Sequence, residues 1–555
     1  MTDLATAGHG VTALGPLHEA LARARRWRAM GISILLGAFS ALAFAPFHVT
    51  AALIVSLTGL VWMIDGARGL KRWGRAVFAR GWAFGFGFFL VSLHWTASPF
   101  LVEPEKHAVF LWLPLIVLPG GMALIWGAVM TMAGAFWSSS PSRIFIFALF
   151  FGLGEWIRGA LFGGFPWNLA GTTFLPGGAL SQAASLGGVY WLTLITIFAC
   201  ASPAALVDTR EKRGLSGRLL PAVVSVVLIA GLWAWGAQKL QAPTEFTEHQ
   251  LVLMDVGVPQ SEKYVPHPRD ASFTTANPAV FRRYLQWLTD GTGEAGDIIL
   301  WPEGATGSNL LEARQLEPTA AYLGERSLIA GTTRRAAGSN DWFNALAILS
   351  QESAVTGAAG LYDKHRLVPV GELPIAEIIP FGQAISGILP GAMQQMATNG
   401  FKPGVGPAVV YGDGVPPFVA MICYEALYPN VAYDAQQTAG HRADWIVVVS
   451  NDGWFGAVVG PAQHYAQNRY RAIESGLPMA RVASRGVSAI VDGYGRETQR
   501  TALAQDNPDG WAGQTLRGPL PSPVVSPLFQ SRTGQMLFPL TLVLFSLLAF
   551  MAWRR

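Results

Sequence analysis

Three short stretches of the sequence place a reactive or charged side chain close behind an apolar run or beside one. Glu303 follows the apolar run 298–301 and a proline, Lys364 lies within the stretch 361–372, and Cys423 follows the apolar run 417–422. A thiol attacks a carbonyl carbon well only as a thiolate, and it therefore needs a base and an electrostatic partner. In this order the three residues supply a base, a cation and a nucleophile. The pattern predicts covalent catalysis by Cys423 at a carbonyl carbon.

Each of these residues has a plainer interpretation when it is taken alone. Cys423 is one of only two cysteines, and a free cysteine is usually a small buried hydrophobe. The other, Cys200, lies inside an apolar run, which argues against a disulfide between them. Glu303 alone would be a solvated acid at a strand end, and Lys364 alone would belong to a surface charge run. The order and spacing of the three together favour the catalytic interpretation.

Further residues near these stretches have weaker signals. The backbone N–H of Tyr424 directly follows the cysteine, where it is a candidate donor to an oxyanion. His464 follows a Gly-Pro turn and is predicted to cap or pack locally. No HExxH, CxxC or paired histidines with ligand spacing occur, and no phosphate-binding glycine loop occurs. The sequence therefore predicts no metal and no cofactor.

The composition indicates an integral membrane protein. Of 555 residues, 51% are hydrophobic and only 13% are charged, and the chain has 20 Trp and 31 Phe. Such a chain is too apolar for an ordinary soluble protein, and its aromatic residues fit belts at the membrane interfaces. The net charge of +4 is small, and the basic residues cluster in particular loops. This clustering indicates membrane topology and argues against nucleic-acid binding.

Apolar segments predict a polytopic α-helical membrane bundle of about eight spans, since a span needs roughly 17–25 residues. The candidate spans are 30–47, 50–66, 80–99, 108–137, 143–162, 180–206, 218–237 and 534–553. With eight spans, the basic N-terminus, the loops 68–80 and 210–218 and the terminal Arg554–Arg555 all fall on one side, which should be the cytoplasm. The block 240–532 then faces outward.

Three domains follow from this count: a membrane domain 1–239 with seven spans, a catalytic domain 240–532, and a C-terminal transmembrane helix 533–555. In the catalytic domain, short apolar runs alternate with helical stretches, which predicts an α/β or layered α+β fold. The predicted strands are 250–256, 297–301, 327–332, 345–350, 409–411, 418–422, 445–450 and 488–491. The predicted helices are 276–290, 312–324, 429–439 and 462–475.

The catalytic block resembles the nitrilase (C–N hydrolase) superfamily. Its members use a Glu-Lys-Cys triad in an αββα sandwich, and Glu303, Lys364 and Cys423 match that triad. Glu372 and Glu425 match two supporting acids. The resemblance implies that Glu372 orients the triad and that Glu425 positions Lys364 or tunes its charge. A nitrilase domain between the seventh and eighth spans resembles the apolipoprotein N-acyltransferase family, as do the membrane stretches 42–47 and 164–168.

That resemblance implies transfer of a phospholipid acyl chain, through a thioester on Cys423, to the α-amino group of a diacylglyceryl lipoprotein. It implies a bacterial inner-membrane enzyme with a periplasmic catalytic domain. Tyr264 and Trp454 are expected to contact substrate. Phe165 and Trp167 are expected to bound an opening for acyl chains, with interfacial anchoring as the alternative for both.

Two other functions are compatible with parts of the sequence. One is a membrane-tethered nitrilase-type amidohydrolase, in which water resolves the acyl-enzyme. Many motif-bearing spans favour transfer, because a tether needs only one span. The other is a transporter or receptor whose ectodomain has lost activity, and the complete triad argues against it. Glu155 and Arg158 form a candidate buried ion pair at the end of the fifth span, for which an interfacial pair is the alternative.

Overall fold

The computed structural model describes residues 14–207, 214–267, 270–369, 371–373, 400–503 and 511–553. The basic stretch 210–213 and Arg554–Arg555, used above to predict orientation, lie outside them. Apolar helices make up the first part of the chain and its end, and a mixed α/β part lies between them. The longer α-helices are α1 Gly15–Arg23, α2 Arg26–Ser40, α3 Thr50–Arg68, α4 Trp73–Ser92, α5 Leu118–Ala135, α6 Arg143–Arg158, α7 Ala184–Ala201, α8 Gly214–Lys239, α9 Pro278–Thr289, α10 Ala313–Leu323, α11 Val431–Ala439, α12 Val459–Ser475 and α13 Arg532–Trp553.

Five helical segments in the described part are long and apolar enough to cross a membrane. They are Thr50–Arg68, Ala108–Ala135, Leu180–Val207, Arg218–Lys239 and Arg532–Met551. A sixth results if α4 and the short helix His94–Leu101, bent by 48°, form one span. The other two predicted segments contain α2 and α6, which have 15 and 16 residues. Both helices are shorter than the roughly 17–25 residues of an ordinary span, so the described helices fall short of the predicted eight.

Two glycines allow α2 and α4 to cross with their backbones in contact. A Cβ at Gly37 would lie 1.9 Å from the carbonyl oxygen of Phe84, and one at Gly87 would lie 2.1 Å from that of Ile34. Small residues at such crossings let apolar helices approach closely where lipid offers no hydrophobic driving force. The short helix α2 is therefore an integral part of the helical layer.

The middle of the chain forms two six-stranded sheets and a small hairpin. The first sheet has the order β14-β1-β4-β5-β6-β7, and the second has the order β13-β12-β11-β10-β9-β8. The strands are β1 Phe246–Asp255, β2 Tyr264–His267, β3 Asp270–Ala276, β4 Ile298–Trp301, β5 Ser327–Arg335, β6 Trp342–Leu349, β7 Gly360–Asp363, β8 Val409–Gly412, β9 Val415–Ile422, β10 Trp445–Asn451, β11 Met479–Ser484, β12 Ala489–Val491, β13 Glu497–Arg500 and β14 Gln514–Pro521.

The sheets pack face to face with helices outside them. Leu253 and Ile329 of the first sheet and Ile422 and Val447 of the second share the buried layer between the sheets. Tyr284 and Leu288 of α9 cover the outer face of the first sheet together with Leu316 of α10. On the outer face of the second sheet, Met421 of β9 shares one buried cluster with Ala435 of α11 and with Trp167 of the loop after α6. The predicted αββα layering is thus observed, and its second helical side adjoins the apolar helices.

Strand direction brings the candidate residues to one edge. Strands β1, β4 and β5 run parallel, and so do β9, β10 and β11. Strand β7 is antiparallel to β6, which is antiparallel to β5, so β7 ends at the same edge as β4. Parallel strands end at the same edge of a sheet, which is where sites form in α/β folds. Glu303 and Lys364 follow β4 and β7 at one edge of the first sheet, and Cys423 follows β9 in the second sheet. The hydrogen bond from the Asn451 N–H, at the end of β10, to Glu303 Oε2 shows that these two edges meet.

All eight predicted strands and all four predicted helices of this domain are present, with shifted ends. The sequence did not predict β2, β3, β7, β11, β13 and β14. Strand β7 has only four residues, and β14 contains two prolines. Strand β11 carries the fully buried Arg481, which interrupts its apolar pattern. Short strands, prolines and a buried charge each weaken the pattern on which strand prediction depends.

Candidate active site

Cys423 stands at a sharp turn after a buried strand. The last five residues of β9 are buried, and Cys423 itself has a positive φ of 52° and begins a short 3₁₀ turn. Its side chain is 5% exposed. Burial raises the pKa of the thiol well above its ordinary value, and the Glu303 carboxylate raises it further, while Lys364 acts in the opposite direction. The resting site therefore holds a neutral thiol that needs a base.

Glu303 is held as a carboxylate by hydrogen bonds to both of its oxygens. Oε1 accepts from Lys364 Nζ at 3.2 Å and from Asn344 Nδ2 at 2.7 Å, and Oε2 accepts from the backbone N–H of Asn451 at 2.9 Å. Burial alone would raise the pKa of Glu303, but the Lys364 charge and these hydrogen bonds outweigh it and leave the pKa below its ordinary value. A buried, ionised carboxylate beside a thiol is placed to act as its base.

Lys364 lies between two carboxylates. Its Nζ is 3.2 Å from Glu303 Oε1 and 2.8 Å from Glu372 Oε2. Burial alone would lower the pKa of Lys364, but the two carboxylates raise it above its ordinary value, so the ammonium stays charged. Glu372 also accepts hydrogen bonds from Asn344 Nδ2 and from the backbone N–H of Val368, at 2.8 and 2.9 Å. It therefore fixes both the lysine and the loop that follows it.

Glu425 acts on the main chain next to Lys364 and not on the ammonium. Its fully buried carboxylate accepts from the N–H groups of Ile422 and His365, at 2.7 and 2.8 Å, and from Tyr362 Oη at 2.9 Å. The expectation that Glu425 tunes the charge of Lys364 is thereby corrected, because Glu372 is the supporting acid that contacts the ammonium. Glu425 joins the nucleophile turn to the segment that carries the lysine, so the positioning alternative fits.

Tyr424 contacts the loop after α6 through its side chain. Its Oη donates to the carbonyl of Gly164, and the neighbouring Tyr428 donates to the carbonyl of Gly163 at 2.8 Å. The loop that contains these glycines follows α6, and Phe165 and Trp167 belong to it. The role of the Tyr424 N–H as an oxyanion donor stays a prediction, whereas its side chain has a docking role that sequence reasoning missed.

Phe165 and Trp167 lie beneath the nucleophile turn. Trp167 is 2% exposed, its indole N–H donates to Gln463 Oε1 at 2.8 Å, and its ring stacks on His464 with centroids 5.5 Å apart. Phe165 stacks on Trp167 at 5.8 Å and is partly buried. Trp167 is thus packed inside the protein and does not serve as an interfacial anchor. Whether either ring contacts an acyl chain stays a prediction.

The Glu155–Arg158 pair holds the same loop. Both side chains are buried, and Arg158 Nη2 lies 2.7 Å from Glu155 Oε2. Arg158 Nη1 also donates to the carbonyls of Phe165 and Trp167, at 2.6 and 2.8 Å. The interfacial alternative for this pair is therefore wrong, because the guanidinium is buried and donates its hydrogen bonds to the loop under the nucleophile.

Tyr264 and Trp454 are the most accessible of the predicted site residues. Tyr264 begins β2 and is 41% exposed, and Trp454 lies in the turn after β10 and is 39% exposed. Their rings are open to a bound molecule, and substrate contact stays a prediction for both.

Two buried groups at this edge were not recognised as part of the site. His464, predicted to pack locally, reaches across to the nucleophile turn and to Asp452. Lys263 is 3% exposed and places Nζ 3.5 Å from the carbonyl oxygen of Glu303. Burial lowers the pKa of Lys263 to about 8, although Glu303 and Asp255 act against this. No local spacing predicts the contacts of His464 with Cys423 and of Lys263 with Glu303, because these partners lie 41 and 40 residues apart in the chain.

Comparisons with known proteins show which families this chain resembles. Residues 36–202 match the model of the apolipoprotein N-acyltransferase N-terminal domain, and residues 313–505 match that of carbon-nitrogen hydrolases. The second match includes Lys364 and Cys423 and begins shortly after Glu303. A CN-hydrolase superfamily protein from Xanthomonas campestris, at 16% identity, covers 50% of this chain and 91% of its own, with a TM-score of 0.33.

Relatives named apolipoprotein N-acyltransferase match over most of the chain. The protein from Rhodopseudomonas palustris is 32% identical over 92% of this chain and 92% of its own. Those from Rhizobium rhizogenes and Caulobacter vibrioides are 33% and 32% identical over 88% and 85% of this chain, and over 90% and 86% of their own. Identity at this level over nearly the full length, together with both domain matches, means that the chain belongs to the apolipoprotein N-acyltransferase family.

Proposed function

We propose that this protein transfers an acyl chain from a phospholipid to the α-amino group of the N-terminal diacylglyceryl-cysteine of lipoproteins, through a thioester on Cys423. The observation that carries the proposal is the turn at Cys423, which faces Glu303 and Lys364 on one side and the membrane-side loop 163–168 on the other. The thiol that attacks the carbonyl carbon thus lies next to the apolar helices. Ester-linked lipids surround such helices in a membrane.

The first half-reaction forms the acyl-enzyme. Glu303 takes the proton from the Cys423 thiol, and the thiolate attacks the ester carbonyl of the phospholipid. The C–S bond forms, the C–O bond breaks, and the leaving oxygen recovers the proton from Glu303, so that a lysophospholipid departs. Splitting the transfer into two steps in this way is the usual advantage of covalent catalysis.

The second half-reaction moves the acyl group to the amine. The free α-amino group of the lipoprotein attacks the thioester, and the C–N bond forms as the C–S bond breaks. Glu303 accepts the proton that the amine loses and returns it to the Cys423 sulfur. The resting thiol and carboxylate are regenerated, so the cycle needs no cofactor.

Lys364 supplies positive charge to the oxyanion in both halves. Its ammonium is 1% exposed and is oriented by Glu303 and Glu372, so little reorganisation is needed when negative charge develops. Removing one preorganised oxyanion donor typically raises the barrier by about 2.7–4 kcal/mol. The Tyr424 N–H is the second donor in this proposal, and Tyr264 and Trp454 contact the incoming substrate.

The proposal includes an orientation in the membrane. Eight spans, with α2 and α6 entering the bilayer as short helices, put the described basic loop near 68–80 on the cytoplasmic side. The domains are then 1–239, 240–532 and 533–555, with the catalytic domain in the periplasm of a bacterial inner membrane. Both lipid substrates reach Cys423 from the outer leaflet of that membrane.

Mass spectrometry of lipoprotein N-termini tests this function. Cells that depend on this protein should carry triacylated lipoproteins, and the same cells with Cys423→Ala should accumulate the diacylated form. Cys200→Ala is the matched control, because Cys200 is the other free, buried cysteine and lies in α7, outside the proposed triad. If Cys423→Ala still yields triacylated lipoproteins, the proposed function through this thiol is wrong.

A further inference from the structure

His464 connects the main chain of the nucleophile to a buried charge network. It lies on α12 and is fully buried. Its Nδ1 is 3.0 Å from Asp452 Oδ1 and 3.1 Å from Arg481 Nη2, and its Nε2 is 3.3 Å from the carbonyl oxygen of Cys423. When Nδ1 accepts from the Arg481 guanidinium, the ring hydrogen is on Nε2, and the ring donates to the peptide of the nucleophile.

The anion behind His464 is rigidly fixed. Asp452 directly follows β10 and accepts two hydrogen bonds from Arg481 Nη2, at 2.9 and 2.7 Å, and one from Ser450 Oγ at 2.7 Å. Burial alone would raise the pKa of Asp452, but Arg481 and His464 hold it far below its ordinary value. A buried carboxylate with this many partners is a permanent charge that determines where the imidazole ring points.

The peptide that His464 contacts is strained. Cys423 has φ of 52°, in the left-handed region that residues other than glycine rarely adopt. Such a conformation persists only where the surroundings impose it. Glu425 holds the preceding N–H, that of Ile422, at 2.7 Å, and His464 holds the following carbonyl. The turn is therefore clamped on both sides of the strained residue.

The second restraint on His464 comes from the membrane part. The ring of Trp167 stacks on the imidazole at an interplanar angle of 21°, and Phe455 packs edge-on against it at 5.2 Å. Trp167 is itself held by Gln463 and by Arg158. The loop after α6 thus confines the ring that holds the nucleophile, although the two lie about 300 residues apart in sequence.

We propose that His464 is a positioning residue that holds Cys423 in its left-handed turn through an Nε2–H hydrogen bond to the Cys423 carbonyl, with Trp167 confining the ring. Loss of this bond lets the turn relax and moves the thiol away from Glu303. The inference rests on the proposed function only in taking Cys423 as the nucleophile. It adds that the membrane-side loop helps to build the active site, beyond delivering lipid to it.

Two isosteric substitutions separate positioning from a general structural role. In His464→Gln, the amide nitrogen can take the place of Nε2 and keep the bond to the Cys423 carbonyl. In His464→Asn, the amide takes the place of Nδ1, keeps the bond to Asp452 and leaves the Cys423 carbonyl without its donor. A merely structural histidine favours Asn or treats the two alike. His441→Gln, at an exposed site after α11, is the matched control.

The measurement is acylation of the full-length protein in detergent micelles containing phosphatidylethanolamine, followed by intact mass, with kcat and KM from multiple-turnover assays. We expect His464→Asn to lower kcat about 100-fold with KM nearly unchanged, since small misplacement of a reacting group has that effect. His464→Gln should retain most of the activity, and His441→Gln should retain all of it. Equal activity of the Asn and Gln variants, or a more active Asn variant, overturns the inference.

A second pair keeps the test decisive if both His464 variants unfold. Trp167→Phe keeps an aromatic ring on the imidazole, whereas Trp167→Leu removes it. A lower kcat for the Leu variant alone supports the inference, and equal kcat for the two overturns it. Activity in Cys423→Ala would instead defeat the proposed function, so the two failures are distinguishable.

Discussion

Glu303→Gln is the most informative single substitution for the chemistry of this site. Glutamine preserves the shape of the side chain and removes the base. Its Oε1 can still accept from Lys364 and Asn344, which lie 3.2 and 2.7 Å from Glu303 Oε1. Lys364 keeps Glu372 at 2.8 Å and remains paired. The geometry around the ammonium is therefore largely preserved, and the main loss is proton transfer from the thiol.

The expected kinetic cost follows from that loss. A positioned general base contributes typically about 10²–10⁴-fold to the rate. At about 1.36 kcal/mol for each tenfold change, the barrier to thioester formation should rise by roughly 3–5 kcal/mol. The Cys423 thiol does not ionise readily by itself in this variant, because burial, the largest cause of its raised pKa, is unchanged by the substitution.

The substitution also has a cost in stability. Glu303 Oε2 accepts from the Asn451 N–H at 2.9 Å, and the glutamine amide would face that N–H with a donor. A buried donor without an acceptor costs about 1–3 kcal/mol. The free energy of unfolding should therefore fall by an amount in this range, which thermal unfolding in detergent can measure.

Rapid-quench intact-mass spectrometry separates the kinetic effect from the effect on stability, because it counts acylation events of the folded enzyme. Glu372→Gln makes the same chemical change on the other side of Lys364 and leaves the base in place. We expect it to slow thioester formation less than Glu303→Gln does. If Glu303→Gln forms the thioester as fast as the unmodified protein, Glu303 is not the base.

Three further outcomes follow from the same contacts. Lys263→Met should raise the melting temperature near pH 7 and not near pH 10. The pKa of Lys263 is about 8 in the folded protein and higher in the unfolded chain, so the buried ammonium destabilises the fold by roughly 3 kcal/mol at neutral pH. This cost disappears as the pH rises through 8 towards the unfolded pKa. Tyr424→Phe removes the hydrogen bond to Gly164 and should lower the free energy of unfolding by about 1–3 kcal/mol, measured by thermal unfolding with Tyr411→Phe as an exposed control. Glu425→Gln should lose about 3 kcal/mol or more, since its carboxylate accepts charge-assisted bonds from Ile422, His365 and Tyr362; unchanged unfolding would contradict its clamping role.

Much of the catalytic domain could be predicted because its strands follow simple rules. Strands such as β4, β9 and β10 are continuous apolar runs, as expected of strands buried on both faces. Functional side chains then follow at the carboxyl ends, so Glu303 and Cys423 can be found from the pattern alone. Strand β11 could not be predicted in this way, because its apolar run is interrupted by Arg481, which is buried as the partner of Asp452.

What the sequence could not predict are contacts between distant segments. His464 meets Cys423 and Asp452 only after β9, β10 and α12 have packed, and no local spacing predicts it. Glu425 was predicted to support the site, but the hydrogen bonds that it accepts from the backbone N–H groups of Ile422 and His365 leave no trace in residue types. Tertiary partners decide the roles of buried polar side chains. The loop that carries Trp167 is such a partner for His464.

The number of candidate membrane spans was predicted only in part, and for a different reason. Hydropathy finds apolar segments, but helix ends depend on turns and packing. Helices α2 and α6 end at Ser40 and Arg158, earlier than hydropathy alone indicates. At the end of α6, the Arg158 side chain donates to the carbonyls of Phe165 and Trp167 in the loop that follows. Segment length and helix length therefore differ where the chain turns to build the site.

Acyl transfer through Cys423 is tested most directly by the mass of the full-length protein isolated from membranes with its phospholipid. We expect an adduct of one acyl chain on Cys423 that hydroxylamine removes and that disappears when a diacylglyceryl lipopeptide is added. The adduct should be absent from Cys423→Ala and present in Cys200→Ala. Lipopeptide acylation without any adduct on Cys423, or acylation by Cys423→Ala, would contradict acyl transfer through this thiol.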